Sequence, residues 1–175
     1  MKRMMGAAAI LCAAVTLSAC SSAATGGELL ATKSPTQLLR NEAANRLISG
    51  TDDNVGAQED FSAPCKSEAE DPEGLYRSWH STLLAEVPED RAIGVDQFVG
   101  ALATSFAEDG WVFNEEHVGS AGKITTMTRS DSIVTLAFTA QEGEGEGATV
   151  LIEASGPCVL TGGPNSDEVK DLVGN

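Results

Sequence analysis

Apolar positions along this 175-residue chain switch period several times, and each switch marks an element. Between Ser34 and Gly50, Leu38, Leu39, Ala43, Leu47 and Ile48 gather on one side at helical spacing. Ser34, Pro35 and Gln37 read as the start of that helix: a cap, a proline at the first helical position and the far half of a capping box. Gly50 stops it. Val95, Phe98, Val99, Leu102 and Phe106 predict a second helix over 93–109, ended by Gly110.

The remaining periodic runs read as strands. In "LYRSWHSTLLAEV", residues 75–87, alternation puts Leu75, Trp79, Leu83, Ala85 and Val87 on one face, interrupted by Arg77 and Ser81. Helical spacing groups Tyr76, Trp79, Leu83 and Val87 almost as well, but the Tyr, Trp, Ser and Thr content favours a strand. Four extended runs follow the second helix: "WVFNEEHV", "KITTMT", "IVTLAFTA" and "ATVLIEAS". Val134, Leu136 and Phe138 share a face, as do Val150, Ile152 and Ala154, which predicts an antiparallel meander with one buried side. Residues 51–64 read as a loop, and "DPEG" at 71–74 as a turn. The expected fold is α+β: two helices packed on one face of a curved antiparallel sheet of four to five strands, in the order α-β-α-β-β-β-β. A single domain over 34–160 is expected, preceded by a tether at 20–33 and followed by a flexible tail at 161–175.

Ahead of the tether, Lys2 and Arg3 precede an uncharged run over 6–17. Twelve helical residues reach only about 18 Å, short of a bilayer core of roughly 30 Å, so residues 1–19 read as an export signal. Leu17-Ser18-Ala19-Cys20 resembles the bacterial lipobox. That resemblance implies a diacylglycerol thioether on Cys20 and cleavage before it, and two acyl chains suffice for stable anchoring. Cys12, inside the apolar run, leaves with the leader. Cys65 and Cys158 remain, 93 positions apart and outside any CxxC spacing, and in an exported chain they are expected to pair. Closing so long a loop is worth about 4–5 kcal/mol in chain entropy, less after native strain.

Loss of Lys2 and Arg3 with the leader takes the net charge from −15 to −17. Such a surface opposes nucleic-acid binding and electrostatic adhesion to anionic lipid. Membrane attachment is therefore expected through the lipid on Cys20, at the extracytoplasmic face of the cell membrane.

Candidate chemistry is sparse. His80 lies beside Trp79, and His117 closes "NEEH" next to Glu115 and Glu116, but alternation sends Glu116 and His117 to opposite faces and one His with one Glu under-ligates a metal. The acids of 51–60 lack EF-hand spacing, and "EGEGEG" is interleaved with flexible Gly, so no metal site or cofactor is expected. No GxSxG, SxxK or HExxH occurs, and "GSAG" and "TGGPN" are not phosphate loops, so no catalytic residue is assigned. Trp79 and Trp111 are core residues by default and the ones to watch as a ligand surface.

The lipobox, the short tether, the capped helix, Cys65, "DGW" at 109–111 and "GPC" at 156–158 together resemble small lipoproteins of the actinobacterial cell envelope. The resemblance implies a location more than a chemistry. The expected function is a non-catalytic binding or scaffolding module with an envelope protein partner. The alternatives are a carrier of a small apolar ligand or lipid held between sheet and helices, and a hydrolase. The hydrolase requires His80 or His117 in a cleft with a nucleophile in hydrogen-bond reach.

Overall fold

The computed structural model describes residues 27–48, 55–87, 95–117, 123–142 and 148–173. In chain order the elements are α1 (Gly27–Ile48), β1 (Val55–Pro64), β2 (Tyr76–Val87), α2 (Val95–Ala107), β3 (Val112–His117), β4 (Lys123–Thr128), β5 (Thr135–Glu142), β6 (Ala148–Ser155), β7 (Val159–Leu160) and α3 (Asp167–Val173). The leader, Cys20, Gly50, "GSAG" at 119–122 and all of "EGEGEG" but its first Glu lie outside the described residues.

The α+β expectation holds, with a curved antiparallel sheet. The sheet order is β1-β2-β6-β5-β4-β3, with β7 pairing β2. The meander β3 to β6 forms as alternation predicts, and the 75–87 segment is a strand. On β2 the odd positions Arg77, Trp79, Ser81, Leu83 and Ala85 are buried. Leu83 and Ala85 share one core cluster with Leu136, Phe138, Val150 and Ile152 from the sheet, Leu39 and Ala43 from α1, and Phe98, Leu102 and Phe106 from α2. That shared cluster puts α1 and α2 on the same face of the sheet. Gly110 takes φ +83° after α2, and the Trp111 N–H then reaches back to Phe106 O at 3.2 Å. Trp111 thereby enters the core edge-on to Phe106, with ring centroids 5.9 Å apart.

Several expectations are corrected. Among the described residues there are seven strands and three helices. Residues 55–64 are strand β1 and not a loop. Its inward positions are Gln58, Asp60, Ser62 and Pro64, opposite Leu83, Ser81, Trp79 and Arg77. The first three are polar: Gln37 and Arg40 of α1 bind Asp60, and Arg77 donates to Ser62 Oγ and O at 2.8 and 2.6 Å. No hydrophobic alternation could therefore announce β1. It pairs with a described strand on one side only, as suits an edge strand ending in proline.

The first helix begins at Gly27, so 27–33 are not a tether, Ser34 is not a cap and Pro35 is interior. An interior proline costs about 3 kcal/mol. Burial offsets it: Leu29 is fully buried with Trp79, Val159, Val169 and Leu172. Thr36 Oγ1 also donates to Lys33 O at 2.8 Å next to the break. Leu38 is 66 % exposed and so leaves the predicted apolar stripe. In place of the flexible tail expected at 161–175, residues 159–173 contain β7 and α3. Val159 pairs with Arg77, and Ser166 Oγ accepts from Val169 N at 3.4 Å to open α3, whose Val169 and Leu172 are buried.

Cys65 and Cys158 form a disulfide with Cα atoms 5.7 Å apart. It joins the end of β1, rather than a loop after the first helix, to the segment between β6 and β7.

Candidate functional site

With α1 and α2 on one face, the other face of the sheet displays the even positions of β2 and the odd positions of β6. Partners across an antiparallel pair point the same way and diagonal neighbours lie within reach of long side chains. His80 is opposite Ser155, and Thr82 is opposite Glu153, so Glu153 is diagonal to His80. Ser78 precedes His80 by two residues on the same strand and therefore shares its face.

These side chains connect. His80 Nδ1 lies 2.7 Å from Glu153 Oε1, and His80 Nε2 lies 2.6 Å from Ser78 Oγ. Ser155 Oγ donates to Glu153 Oε1 at 2.9 Å. Phe61 of β1 stacks on the imidazole, with centroids 5.2 Å apart and planes 7° from parallel. The hydrogen bond from His80, with help from Ser155 and against the opposing effect of burial, holds the Glu153 carboxyl below its usual range. Glu153 is thus ionised at neutral pH and only accepts. Nδ1 must then carry the proton, and in a neutral imidazole Nε2 is left as the acceptor of the Ser78 hydroxyl.

A second polar cluster sits on the helix-covered face. Arg40 Nη1 meets Asp60 Oδ1 at 3.1 Å and Gln37 Nε2 meets Asp60 Oδ2 at 3.0 Å. Burial alone would raise the Asp60 carboxyl, but the Ser81 hydroxyl, the Gln37 amide and Arg40 overcome it and hold it low. The single Ser81 proton also has Thr36 Oγ1 at 3.0 Å, and the charged acceptor Asp60 is the stronger of the two. This cluster clamps α1 to β1 and β2.

The sequence candidates fall in different places. Trp79 and Trp111 are buried, at 0 and 5 % exposure, so neither forms an open ligand surface. Trp79 stacks under Lys33 Nζ, 5.2 Å from the ring centroid, and its Nε1 has no hydrogen-bond partner among the described residues. Trp111 does reach one groove of about 310 Å³ between α1 and the β4–β5 turn, lined also by Leu38, Leu39, Ile133, Glu42 and Arg129. The side chains of Glu115, Glu116 and His117, and all of Cys20, lie outside the described residues. Among the described residues no group of three or more His, Cys, Asp or Glu converges, and no helix is long and apolar enough to cross a membrane.

Of the site on the open face, only His80 was singled out from sequence. Ser78 was legible as the "S-x-H" spacing on a strand. Glu153, Ser155 and Phe61 were not, because β2 pairs with β6 and β1 only in three dimensions.

Comparison with protein-family models, with curated proteins and with solved structures finds no match for this chain.

Proposed function

We propose that this protein is a lipid-anchored extracytoplasmic module that acts by binding a partner in the cell envelope through the sheet face its helices leave uncovered. The observation that carries the reading is the one-sidedness of the fold: α1 and α2 share a single core on one face. The opposite face offers the ordered His80 cluster flanked by the partly exposed Leu84, Ile124, Thr139 and Leu151. A preorganised polar centre within mixed apolar and hydroxyl surroundings suits protein recognition. The lipobox at 17–20 supports the anchor, and the net charge of −17 after cleavage favours a neutral or basic partner.

Two measurements test this in cells. Metabolic labelling with a clickable palmitate should mark the full chain and disappear with Cys20→Ser, together with membrane fractionation. A photo-crosslinker at Thr139 should capture one recurring neighbour, whereas one at the exposed Gln97 of α2 should not. Unchanged labelling in the Cys20 variant refutes the anchor, and equal capture from both positions refutes the face.

The groove under Trp111 favours a second reading, a carrier of a small apolar ligand. Leu38 and Ile133, 66 and 61 % exposed, line it. Its position at the edge of α1, and not between helices and sheet, restricts it to a short chain or ring at the lower end of ligand-pocket sizes. A co-purified lipid in native mass spectra, lost with Ile133→Asp, is the result this reading requires.

A further inference from the structure

His80 has a hydroxyl within the hydrogen-bond reach that nucleophilic chemistry requires. With Nδ1 donating to the carboxylate of Glu153, Nε2 of the neutral imidazole is the acceptor facing Ser78 Oγ at 2.6 Å. Ser155 Oγ donates to the same Oε1 and lies 3.1 Å from His80 Nδ1, and Phe61 stacks on the ring. Hydroxyl, imidazole and carboxylate in this order, with both contacts in hydrogen-bond range, are what activates a serine. Triads are recognised by such geometry and not by position in the chain.

From this geometry we propose that Ser78, His80 and Glu153 form an acyl-transfer site on the uncovered face, acting on small uncharged carboxylic esters. Ser78 Oγ bonds to the ester carbonyl carbon as its proton passes to His80 Nε2. The bond to the alcohol oxygen then breaks, and His80 returns the proton to that oxygen, releasing the alcohol. Water gives a proton to His80 Nε2 and bonds to the acyl carbon, and the proton goes back to Ser78 Oγ as the acid leaves. The balance is ester plus water to acid plus alcohol, with no further reactant. Ser78 and His80 touch the reacting atoms; Glu153 is a positioning residue.

The surroundings set the substrate class. Ser78 is only 5 % exposed, so a narrow acyl group such as acetyl reaches it and a bulky one does not. Phe61, 36 % exposed, supplies an apolar wall beside the imidazole. The strongly acidic chain repels anionic esters. This activity goes beyond the binding reading and does not depend on the anchor.

Methanesulfonyl fluoride, small enough to reach a nearly buried hydroxyl, tests the nucleophile directly, because covalent labelling needs an activated serine but not a well-formed oxyanion site. The disulfide-intact full chain should take up one methylsulfonyl group, mapped to Ser78, and urea-unfolded chain should take up none. Labelling should vanish with Ser78→Ala and slow roughly 10²–10⁴-fold with His80→Gln, the usual general-base contribution. Glu153→Gln should also lose it while keeping the native circular dichroism, since a Gln amide can hold Nδ1 as the acceptor, and Glu153→Asp should restore part. Absence of an adduct on the folded wild type, an adduct on another serine, or undiminished labelling of His80→Gln overturns the proposal and leaves the cluster a structural one.

Discussion

His80 Nδ1 and Glu153 Oε1 meet at 2.7 Å although 73 positions separate the two residues. The contact exists because β2, in the first half of the chain, pairs with β6 near its end. It ties the meander to the β1–β2 hairpin on the open face, as the buried core does on the other.

The pair makes stability depend on pH with a definite sign. Glu153 is held below its usual range, so its contribution is full above the unfolded carboxylate value, near 4.3, and fades as pH falls through the lower folded value. Asp60 acts in the same direction. Urea unfolding should therefore show stability falling between about pH 5 and pH 2, and the gap between wild type and Glu153→Gln should shrink on that descent. A gap that stays constant to pH 2 contradicts the assignment.

Breaking the clamp on the covered face should cost more than breaking most surface pairs. Arg40 is only 7 % exposed at its side chain, and Asp60→Asn leaves it without a counter-charge. A loss of about 2 kcal/mol is expected at neutral pH in urea melts. Exposed pairs such as Arg129–Asp131 should give under about 1 kcal/mol on the same assay.

Reduction of the Cys65–Cys158 bridge releases a 93-residue separation. Replacing both cysteines with serine should lower stability by about 2–4 kcal/mol. Intact mass after alkylation should show no added alkyl group on these two residues in exported protein until reductant is supplied.

Helix α3 should be integral to the domain. Leu172→Ala removes a side chain packed with Leu29 and Trp79 and should cost about 2–4 kcal/mol. Because Trp79 is fully buried there, removing residues 167–175 should also shift its emission to longer wavelength. Unchanged emission and stability would make α3 an appendage.

Close approach of α1 to the turn after β6 leaves no room at Gly156. A Cβ there would sit 2.8 Å from Thr32 Cβ, so Gly156→Ala should lose about 1–3 kcal/mol in thermal or urea melts.

One-sided burial writes itself into a sequence as period, and here it determined α2, strands β2 to β6 and the inward apolar residues of β2, β5 and β6. Phe98, Leu102 and Phe106 repeat at helical spacing, and Val150, Ile152 and Ala154 alternate, because each set meets one continuous core. The cysteine spacing, with residues 1–19 read as an export signal, likewise led to the pairing of Cys65 with Cys158 that the structure shows. Tertiary structure alone decided the rest. β1 turns polar groups inward because Arg40, Gln37 and Arg77 wait for them, so it carries no period of its own. The first turns of α1, across Pro35, and the short α3 persist because Leu29, Val169 and Leu172 meet at Trp79, each too isolated in the chain to form a pattern. The cluster around His80 needed the out-of-order pairing of β2 with β6: hydrogen bonds act over about 3 Å of space, and the chain places their partners dozens of residues apart.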